Sequence, residues 1–262
     1  MKADYKNWVP KGMIFALVGG VAVLFAGLML LMICTDASWT PRLPLIVILA
    51  AAFCTCSAFA GWSITAYRAF SYNGKRRLSQ QIVEGTAAYV TLPEGGLGLD
   101  VGCGSGALTI ACAKRNRQGT MVGIDRWGKE YASFSLRLCE QNAEVEGVKN
   151  IRFQCGDAVR LNFPDGSFDA VTSNYVYHNI SGADKQKLIL ETLRVLKKGG
   201  VFAIHDLMSP TRYGNMEAFV HELKAKGFEE VKMIDTTDGL FMSRQEARRL
   251  MLGDSALLIG RK

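Results

Sequence analysis

The sequence predicts an α/β fold with a doubly wound, mostly parallel sheet of seven strands, preceded by two long apolar helices. Three observations support this prediction. Short apolar runs alternate with segments of helical periodicity from residue 97 onward, which is typical of a parallel sheet with crossover helices. Acids and glycines follow the first of these runs, at the sheet edge where such folds bind ligands. Two uncharged runs, at 13–34 and 43–67, precede this pattern.

Each uncharged run exceeds the roughly 20 residues that cross a hydrocarbon core about 30 Å thick. The eight residues between them, 35–42, contain Pro41 and one charge of each sign, which indicates a short turn. We therefore predict a transmembrane helical hairpin over 13–67, after an N-terminal segment at 1–12. A cleaved signal peptide is the alternative for the first run, and a buried soluble helix is the alternative for the second.

Positive charges flank the predicted hairpin at both ends. They are Lys2, Lys6 and Lys11 before it, and Arg68, Lys75, Arg76 and Arg77 after it. Lysine and arginine favour the cytoplasmic side of membrane spans. The sequence therefore predicts a multi-pass membrane protein with two spans, in which both termini and the remaining chain are cytoplasmic. Small residues at helical spacing in both runs favour close packing of the two helices.

The formal net charge of +7 is partly concentrated beside the predicted spans, where it favours anionic lipid headgroups. The remaining charge forms no basic stripe interleaved with aromatic residues, so we expect no nucleic-acid partner. The seven cysteines include no Cys-x-x-Cys pair, and the three histidines show no metal-ligand spacing. In a cytoplasmic domain we expect reduced thiols and no metal site.

Residues 68–96 are predicted to be a linker that contains a helix at 79–89, and residues 97–262 are predicted to be the main domain. Whether 68–90 covers the site as a lid is left open. The predicted strands are 98–101, 120–124, 151–154, 168–173, 201–205, 230–235 and 255–259. The predicted helices are 107–115, 129–146, 184–196 and 215–226, with 197–200 capping the third of them.

The first strand ends at Asp100 and is followed by three glycines at alternate positions, Gly102, Gly104 and Gly106. Glycine permits a positive φ and lets backbone N–H groups approach a ligand closely. Acids also follow the next two strands, since Asp125 lies 19 residues after Gly106 and Asp157 follows the third strand. An offset of roughly 20 residues is expected for an acid that holds ribose hydroxyls. The pattern favours a nucleotide-type ligand.

These motifs resemble those of the class I S-adenosylmethionine-dependent methyltransferases, and most closely the group that includes enzymes of quinone biosynthesis. The resemblance covers roughly residues 80–262 and rests on the motifs at 99–106, 123–125, 156–158, 163–169 and 194–200, in that order. It implies a Rossmann-like domain, S-adenosyl-L-methionine as cofactor and S-adenosyl-L-homocysteine as product. A nicotinamide dehydrogenase is the rival interpretation, but its G-x-G-x-x-G pattern places the third glycine one residue later.

The resemblance also implies a set of cofactor-binding residues. They are Asp100, Gly102, Cys103, Gly104, Ser105, Gly106, Asp125, Arg126, Trp127, Gly156, Asp157, Ala158, Ser173 and Asn174. Residues 100–106 and 173–174 would flank the methionine part, and Asp125 would accept both ribose hydroxyls. Residues 126–127 and 156–158 would lie against the adenine. For Asp157, stabilisation of a turn is the alternative role.

Methyl transfer from a sulfonium mainly requires correct positioning, and a general base is needed only when the acceptor must lose a proton. Candidates lie after the fourth strand, at 175–179, and in the fifth strand, at His205-Asp206. We select His178, Tyr177 and His205 as candidate catalytic residues. His178 is preferred because the ordinary pKa of histidine lies near neutrality and because its position in the family faces the acceptor. The alternative for His178 is a helix-start or packing role, and that for His205 is a strand-end residue that bonds to the backbone. For Tyr177, the alternative is that it shapes the pocket.

The sequence therefore predicts a membrane-anchored methyltransferase that acts on a lipophilic or membrane-partitioning small molecule, such as a quinone, an isoprenoid or a lipid. One alternative acceptor is a small hydrophobic thiol or another soluble small molecule. An anchor that only docks beside a membrane protein, and a non-catalytic cofactor-binding module, are further alternatives. Neither the accepting atom nor the oligomeric state is predicted.

Overall fold

The computed structural model describes residues 2–128 and 133–262 of the chain. This part of the chain divides into two compact units, one formed by 7–77 and the other by 2–6 together with 78–262. The smaller unit contains two helices, α1 (Lys11–Cys34) and α2 (Arg42–Phe70). They begin one or two residues before the predicted spans, and α2 ends three residues later than predicted.

The two helices of the smaller unit pack against each other through small residues. A Cβ placed on Gly20 would lie 3.3 Å from the Sγ of Cys56, and this thiol lies 3.4 Å from the carbonyl of Leu17. At the other end of the hairpin, the Arg42 guanidinium donates to the carbonyl of Met32 at 3.0 Å. The side chain of Arg42, at the start of α2, therefore provides a hydrogen bond to a backbone carbonyl near the end of α1.

By length and composition, both helices are suited to crossing a membrane. Of the most apolar 18 residues of each helix, 0% are buried in α1 and 6% in α2. Large apolar side chains such as Phe15 and Ile33, each 73% exposed, therefore face outward. A core helix of a soluble domain would bury most of such a surface.

The larger unit is built around a sheet of seven strands, as predicted. They are β1 (Leu97–Val101), β2 (Thr120–Asp125), β3 (Ile151–Cys155), β4 (Phe168–Asn174), β5 (Leu196–Leu207), β6 (Glu229–Asp235) and β7 (Ser255–Arg261). Their order is β3-β2-β1-β4-β5-β7-β6, and β7 is antiparallel to both of its neighbours. The other ladders are parallel, so the prediction of a doubly wound, mostly parallel Rossmann-like sheet is confirmed.

Helices cover both faces of this sheet. They are α3 (Leu78–Ala87), α4 (Ala107–Arg115), α5 (Leu136–Val145), α6 (Lys185–Arg194), α7 (Pro210–Tyr213), α8 (Met216–Ala225) and α9 (Arg244–Arg249). Apolar residues of α3 and α4 pack against one face of the sheet, and the core that they form there includes Ala203 of β5. Residues of α6 and α8 form the core on the other face, which includes Ile204. Successive residues of β5 therefore point to opposite helical layers.

Two predicted elements differ from the structure. The helix expected from residue 129 begins at Leu136, because the hydroxyl of Ser135 accepts a hydrogen bond from Leu138 N–H at 3.2 Å and caps the helix there. Residues 129–132 lie outside the described residues. Residues 197–200, expected to cap a helix, belong to β5, because Leu196 is fully buried and pairs with Phe168.

The carboxyl ends of the parallel strands lie at one edge of the sheet, and most of the predicted site residues lie at this edge. Pairing in register places Asn174 of β4 beside His205 of β5. It also places Asp100 of β1 beside Thr172 of β4. A 3₁₀ helix at Tyr177–Asn179, which the sequence did not predict, follows β4 at this edge.

Candidate functional site

The glycine turn after β1 requires glycine for two different reasons. Gly102 has φ +74°, and a Cβ there would lie 2.4 Å from a methyl group of Val176, so the position is closed to any side chain. Gly104 has φ +56°, and among the described residues a Cβ there would meet nothing closer than the ring of Phe134 at 4.0 Å. The turn is therefore tightly packed at Gly102, whereas the described residues leave room for a side-chain atom at Gly104.

Asp125 connects the end of β2 to the same turn. Its carboxylate accepts hydrogen bonds from Gly104 N–H at 2.9 Å and from Trp127 N–H at 2.8 Å. The indole N–H of Trp127 donates to the carbonyl of Gly104 at 2.9 Å. Each carboxylate oxygen has a second lone pair, and Asp125 is partly exposed. The carboxylate therefore retains the capacity to accept two further hydrogen bonds.

Asp100 and Ser173 lie inside the protein beneath the turn. Asp100 accepts hydrogen bonds from the hydroxyls of Thr109 at 2.6 Å and Thr172 at 2.8 Å. Burial raises its pKa from 3.8 to about 7 against the lowering effect of these hydrogen bonds. Ser173 is 1% exposed and donates to the carbonyl of Val101 at 3.0 Å. Both side chains hold β1 to its neighbours.

Two other residues of the turn, Cys103 and Gly106, also face the interior. Cys103 is 7% exposed, and burial raises the pKa of its thiol well above the usual value. Gly106 has φ +80°, and a Cβ there would lie 2.9 Å from the ring of Phe153. Packing alone therefore explains a small residue at each of these two positions.

The residues predicted to contact adenine lie at the ends of β2 and β3. Gly156 N–H donates to the carbonyl of Asp125 at 3.0 Å, which brings the two strand ends together. Asp157 is exposed and accepts a hydrogen bond from Val159 N–H at 2.9 Å, the arrangement of an Asx turn. Arg126 is exposed and Ala158 is half-buried. Contact of these residues with adenine stays a prediction.

His178 and Asp206 form a hydrogen-bonded pair, called the dyad below. The Nδ1 of His178 is hydrogen-bonded to Oδ1 of Asp206, and His178 N–H donates to Oδ2 at 3.2 Å. Burial raises the pKa of Asp206, but the hydrogen bond and charge of His178 and a hydrogen bond from Leu207 N–H outweigh it and lower the pKa below its usual value. Asp206 is therefore ionised and accepts a proton-bearing Nδ1.

The other ring nitrogen of His178, Nε2, points away from Asp206 and is not used in the dyad. Among the residues that the structure describes, Nε2 has no hydrogen-bond partner, and the side chain is 15% exposed. With the proton held on Nδ1 by Asp206, Nε2 carries the lone pair. The dyad can therefore accept a proton from a group placed at Nε2.

His205 has the opposite environment. It is fully buried, with Nδ1 2.9 Å from Oδ1 of Asn174 and Nε2 3.0 Å from the hydroxyl of Thr236. Burial lowers its pKa from 6.5 to about 3. The ring is therefore neutral, and both of its nitrogens already have partners within the protein. In this position His205 orients the amide of Asn174.

Tyr177 is also fully buried, and its hydroxyl lies 2.6 Å from the hydroxyl of Thr192. Burial raises its pKa above the usual value of tyrosine. Tyr175 has φ +55°, and its ring lies edge-on to that of His205 at 4.6 Å between centroids. Its hydroxyl lies 2.6 Å from that of Ser255. These two aromatic side chains support the strand ends from inside.

Asp206 is the residue of this site that sequence reasoning did not select. Its neighbour His205 was chosen instead, although alternation along a strand places the two on opposite faces of the sheet. The signal that could have distinguished them is the core pattern of β5, because Ile204 and Asp206 share the face covered by α6. The 3₁₀ helix that carries His178 lies directly before α6.

An open cavity of about 460 Å³ lies between the start of α6 and α8. It is lined by Asp184, Gln186, Arg212, Tyr213, Gly214, Asn215, Ala218, Phe219 and Glu222, none of which belongs to the predicted site. Burial and the charge of Asp206 raise the pKa of Tyr213, one of the lining residues, above its usual value. No cluster of potential metal ligands occurs within the described parts of the chain.

Comparisons with known proteins agree with this geometry. Residues 94–250, more than half of the chain, match the family model of a methyltransferase domain. The chain is 29% identical over 168 residues to demethylmenaquinone methyltransferase of Geobacillus stearothermophilus, which covers 60% of this chain and 69% of that relative. It is 37% identical over 112 residues to the uncharacterized methyltransferase YcgJ of Bacillus subtilis, which covers 43% and 41% of the two chains.

Two solved structures share the fold. The [4+2]-cyclase SpnF superimposes with a TM-score of 0.54 and 24% identity, over 71% of this chain and 82% of that chain. A geranyl diphosphate methyltransferase in complex with GPP and sinefungin gives a TM-score of 0.55 and 14% identity, over 74% and 81%. At these identities the likeness concerns the architecture alone.

The residues present fit a cofactor that carries a ribose. Among the residues that the structure describes, a Cβ at Gly104 would meet only the ring of Phe134, at 4.0 Å. The carboxylate of Asp125, hydrogen-bonded to Gly104 N–H, has acceptor capacity for a diol. Together with the family match, this establishes the kind of protein and its cofactor. The chain belongs to the class I S-adenosylmethionine-dependent methyltransferases, in the group that resembles enzymes of quinone biosynthesis.

Proposed function

We propose that this chain is a membrane-anchored methyltransferase that methylates a lipophilic small molecule drawn from the bilayer. The observation that carries the proposal is the pair of apolar helices, α1 and α2, with their large side chains exposed. Exposed apolar surface costs roughly 25 cal/mol per Å² in water, and a patch of this length marks a membrane or protein contact. A bilayer accommodates both helices in full.

The residues at the open end of the hairpin fit a membrane interface. Trp8 packs on Phe70 with ring centroids 4.8 Å apart. The ammonium group of Lys11 lies 6.0 Å from the ring centroid of Tyr67. Aromatic and basic side chains concentrate at the level of lipid headgroups. We infer that this end is cytoplasmic, and a reporter tag after Lys262 is therefore expected to be labelled only in permeabilised cells.

Within the site, we assign Asp125 to the ribose and the turn at 102–106 to the methionine end of the cofactor. S-adenosylmethionine, when bound, supplies a methyl group already activated on a sulfonium sulfur. The remaining work of the protein is to hold the acceptor in line, exclude water and remove a proton where the acceptor carries one. The room that the described residues leave at Gly104 and the acceptor capacity of Asp125 support the assignment.

We assign His178 as the general base and Asp206 as its positioning residue. The proton of an acceptor O–H, S–H or activated C–H moves to Nε2 of His178. The buried carboxylate of Asp206 holds Nδ1–H and stabilises the resulting imidazolium, as an acid does for the histidine of a catalytic triad. His205 and Tyr177 are assigned to packing and to the orientation of Asn174, because neither presents a free polar atom to a substrate.

The test of this function uses the full chain in lipid nanodiscs with methyl-labelled S-adenosylmethionine and a membrane lipid extract. The expected result is label in the lipid fraction, with a demethylated quinone as the first pure acceptor to try, given the name of the Geobacillus relative. An Asp125→Ala variant is the control that should lose cofactor binding. Label found only in small water-soluble or volatile products would show that the acceptor is not a lipophilic molecule of the bilayer. It would support the alternative acceptor, a small thiol or another soluble small molecule. Cofactor binding without turnover on any extract would contradict the proposal.

A further inference from the structure

The segment that precedes α1 is attached to the cofactor turn by a buried side chain. Asn142 of α5 is 2% exposed. Its carbonyl oxygen accepts a hydrogen bond from Asp4 N–H at 2.7 Å, and its NH₂ group donates to the carbonyl of Asp4 at 3.0 Å. One amide therefore pairs with both backbone groups of a single residue, as a neighbouring strand would.

The same amide also holds the glycine turn. The NH₂ group of Asn142 donates to the carbonyl of Ser105 at 3.0 Å. The hydroxyl of Ser105, a residue 6% exposed, donates to the carbonyl of Tyr5 at 3.0 Å. Asp4, Tyr5, Ser105 and Asn142 thus form one connected hydrogen-bond network, and Ser105 lies between Gly104 and Gly106 of the turn.

The segment is shaped to make this contact. The carboxylate of Asp4 accepts hydrogen bonds from Lys6 N–H at 3.0 Å and from the Lys6 ammonium at 2.6 Å. Lys6 has φ +57°, a conformation that lysine rarely adopts. This turn ends the part of the N-terminus that belongs to the methyltransferase unit, and the next residue, Asn7, belongs to the unit of α1 and α2.

We propose that residues 4–6 form an N-terminal strap that is a positioning element of the cofactor site. The inference rests on the proposed assignment of the glycine turn to the cofactor. The strap fixes the conformation of Ser105 and hence of the turn. Because coupling between two binding events is reciprocal, a docked strap raises cofactor affinity and a bound cofactor holds the strap in place.

A matched pair of substitutions at Asp4 tests the strap in the full chain. Asp4→Pro removes the backbone N–H group that donates a hydrogen bond to Oδ1 of Asn142, whereas Asp4→Ala keeps this group. Both remove the side chain that bonds to Lys6. We expect Asp4→Pro to weaken binding of S-adenosyl-L-homocysteine about tenfold relative to Asp4→Ala in calorimetry, and to raise KM for S-adenosyl-L-methionine by more than it lowers kcat. Equal affinities of the two variants would overturn the proposal.

The reciprocal effect is measured by proteolysis. S-adenosyl-L-homocysteine is expected to slow tryptic cleavage after Lys6 at least fivefold, and to leave cleavage after Lys226, in the loop beyond α8, unchanged. Equal slowing at both sites, or at neither, would contradict the coupling. Asp125→Ala separates this test from the assignment of the cofactor site. If Asp125→Ala weakens binding and Asp4→Pro does not, the strap alone is wrong, and if neither weakens it, the site assignment fails.

Discussion

Two histidines lie at the same edge of the sheet in this enzyme, one in the 3₁₀ helix after β4 and the other in β5, and their surroundings differ. The Nδ1 of His178 is hydrogen-bonded to the buried carboxylate of Asp206, and the His178 side chain is 15% exposed. His205 is fully buried, both nitrogens have partners, and burial lowers its pKa to about 3. Proton-transfer capacity at this sheet edge is therefore decided by neighbouring groups, and residue type and strand position alone do not decide it.

One strand creates this difference. His205 and Asp206 are consecutive in β5, so their side chains point to opposite faces of the sheet. His205 meets Thr236 and the β7 edge on its face. Asp206 meets His178 on the other face, beside α6. These two consecutive positions of β5 thus supply the carboxylate partner of His178 and a buried histidine whose two ring nitrogens both have partners.

Replacement of His178 is expected to have the largest effect on activity. His178→Ala removes the proton acceptor, and general-base catalysis contributes typically 10²- to 10⁴-fold. We expect kcat to fall by about that factor with the dissociation constant of S-adenosyl-L-homocysteine unchanged. His221→Ala is the matched control, because His221 is exposed on α8. Activity of His178→Ala within threefold of the parent enzyme would show that His178 only packs.

Asp206→Asn is expected to have the next largest effect. The substitution keeps the shape of the side chain but removes the charge that stabilises the protonated dyad and fixes the proton on Nδ1. Asp206 acts only through His178, so its contribution lies within the 10²- to 10⁴-fold that general-base catalysis typically supplies. We expect a loss in kcat of that size, with KM for acceptor and cofactor changed less than twofold. A loss confined to KM would instead mean that Asp206 shapes a binding surface.

His205→Gln is expected to alter stability and its pH dependence. The pKa of His205 is about 3 in the folded protein and 6.5 ordinarily, so below pH 6.5 the unfolded chain binds a proton that the folded chain does not. The stability due to neutral His205 is complete above pH 6.5 and is lost as the pH falls towards 3, by about 1.4 kcal/mol per pH unit. Glutamine does not titrate, so this slope should disappear.

The measurement is the free energy of unfolding of parent and variant in parallel between pH 7 and 4. Asp100 titrates with the opposite sign, because its pKa is about 7 when folded and 3.8 ordinarily. Its contribution is complete below pH 3.8 and is lost as the pH rises towards 7. It is common to both proteins and cancels in their difference. A difference that does not vary with pH would contradict the buried neutral state of His205.

The parts of the site that are local in sequence were predictable. The turn at 102–106 and the acid at Asp125 follow from glycine spacing and strand ends, and the structure brings them together through Gly104. The start of α5 was wrong by several residues, because a capping hydroxyl at Ser135 overrides helical periodicity.

The parts that depend on distant segments were not predictable. The partner of His178 lies 28 residues away, and the partner of Asp4 lies 138 residues away. The burial of His205 depends on Thr236, which reaches it only because β7 returns antiparallel between β5 and β6. Periodicity describes which residues face a core, but it carries no information on which polar side chains meet within that core.

Tyr175→Phe is expected to have the smallest effect of these substitutions. Phenylalanine keeps the ring against His205 at 4.6 Å but loses the hydroxyl contact with Ser255 at 2.6 Å. One hydrogen bond contributes about 1 kcal/mol, so we expect stability to fall by that amount and kcat to stay within threefold. A much larger loss of kcat, at unchanged stability, would place the Tyr175 hydroxyl with His178 among the groups that act on the acceptor. The side of β5 that carries His205 would then be catalytic as well.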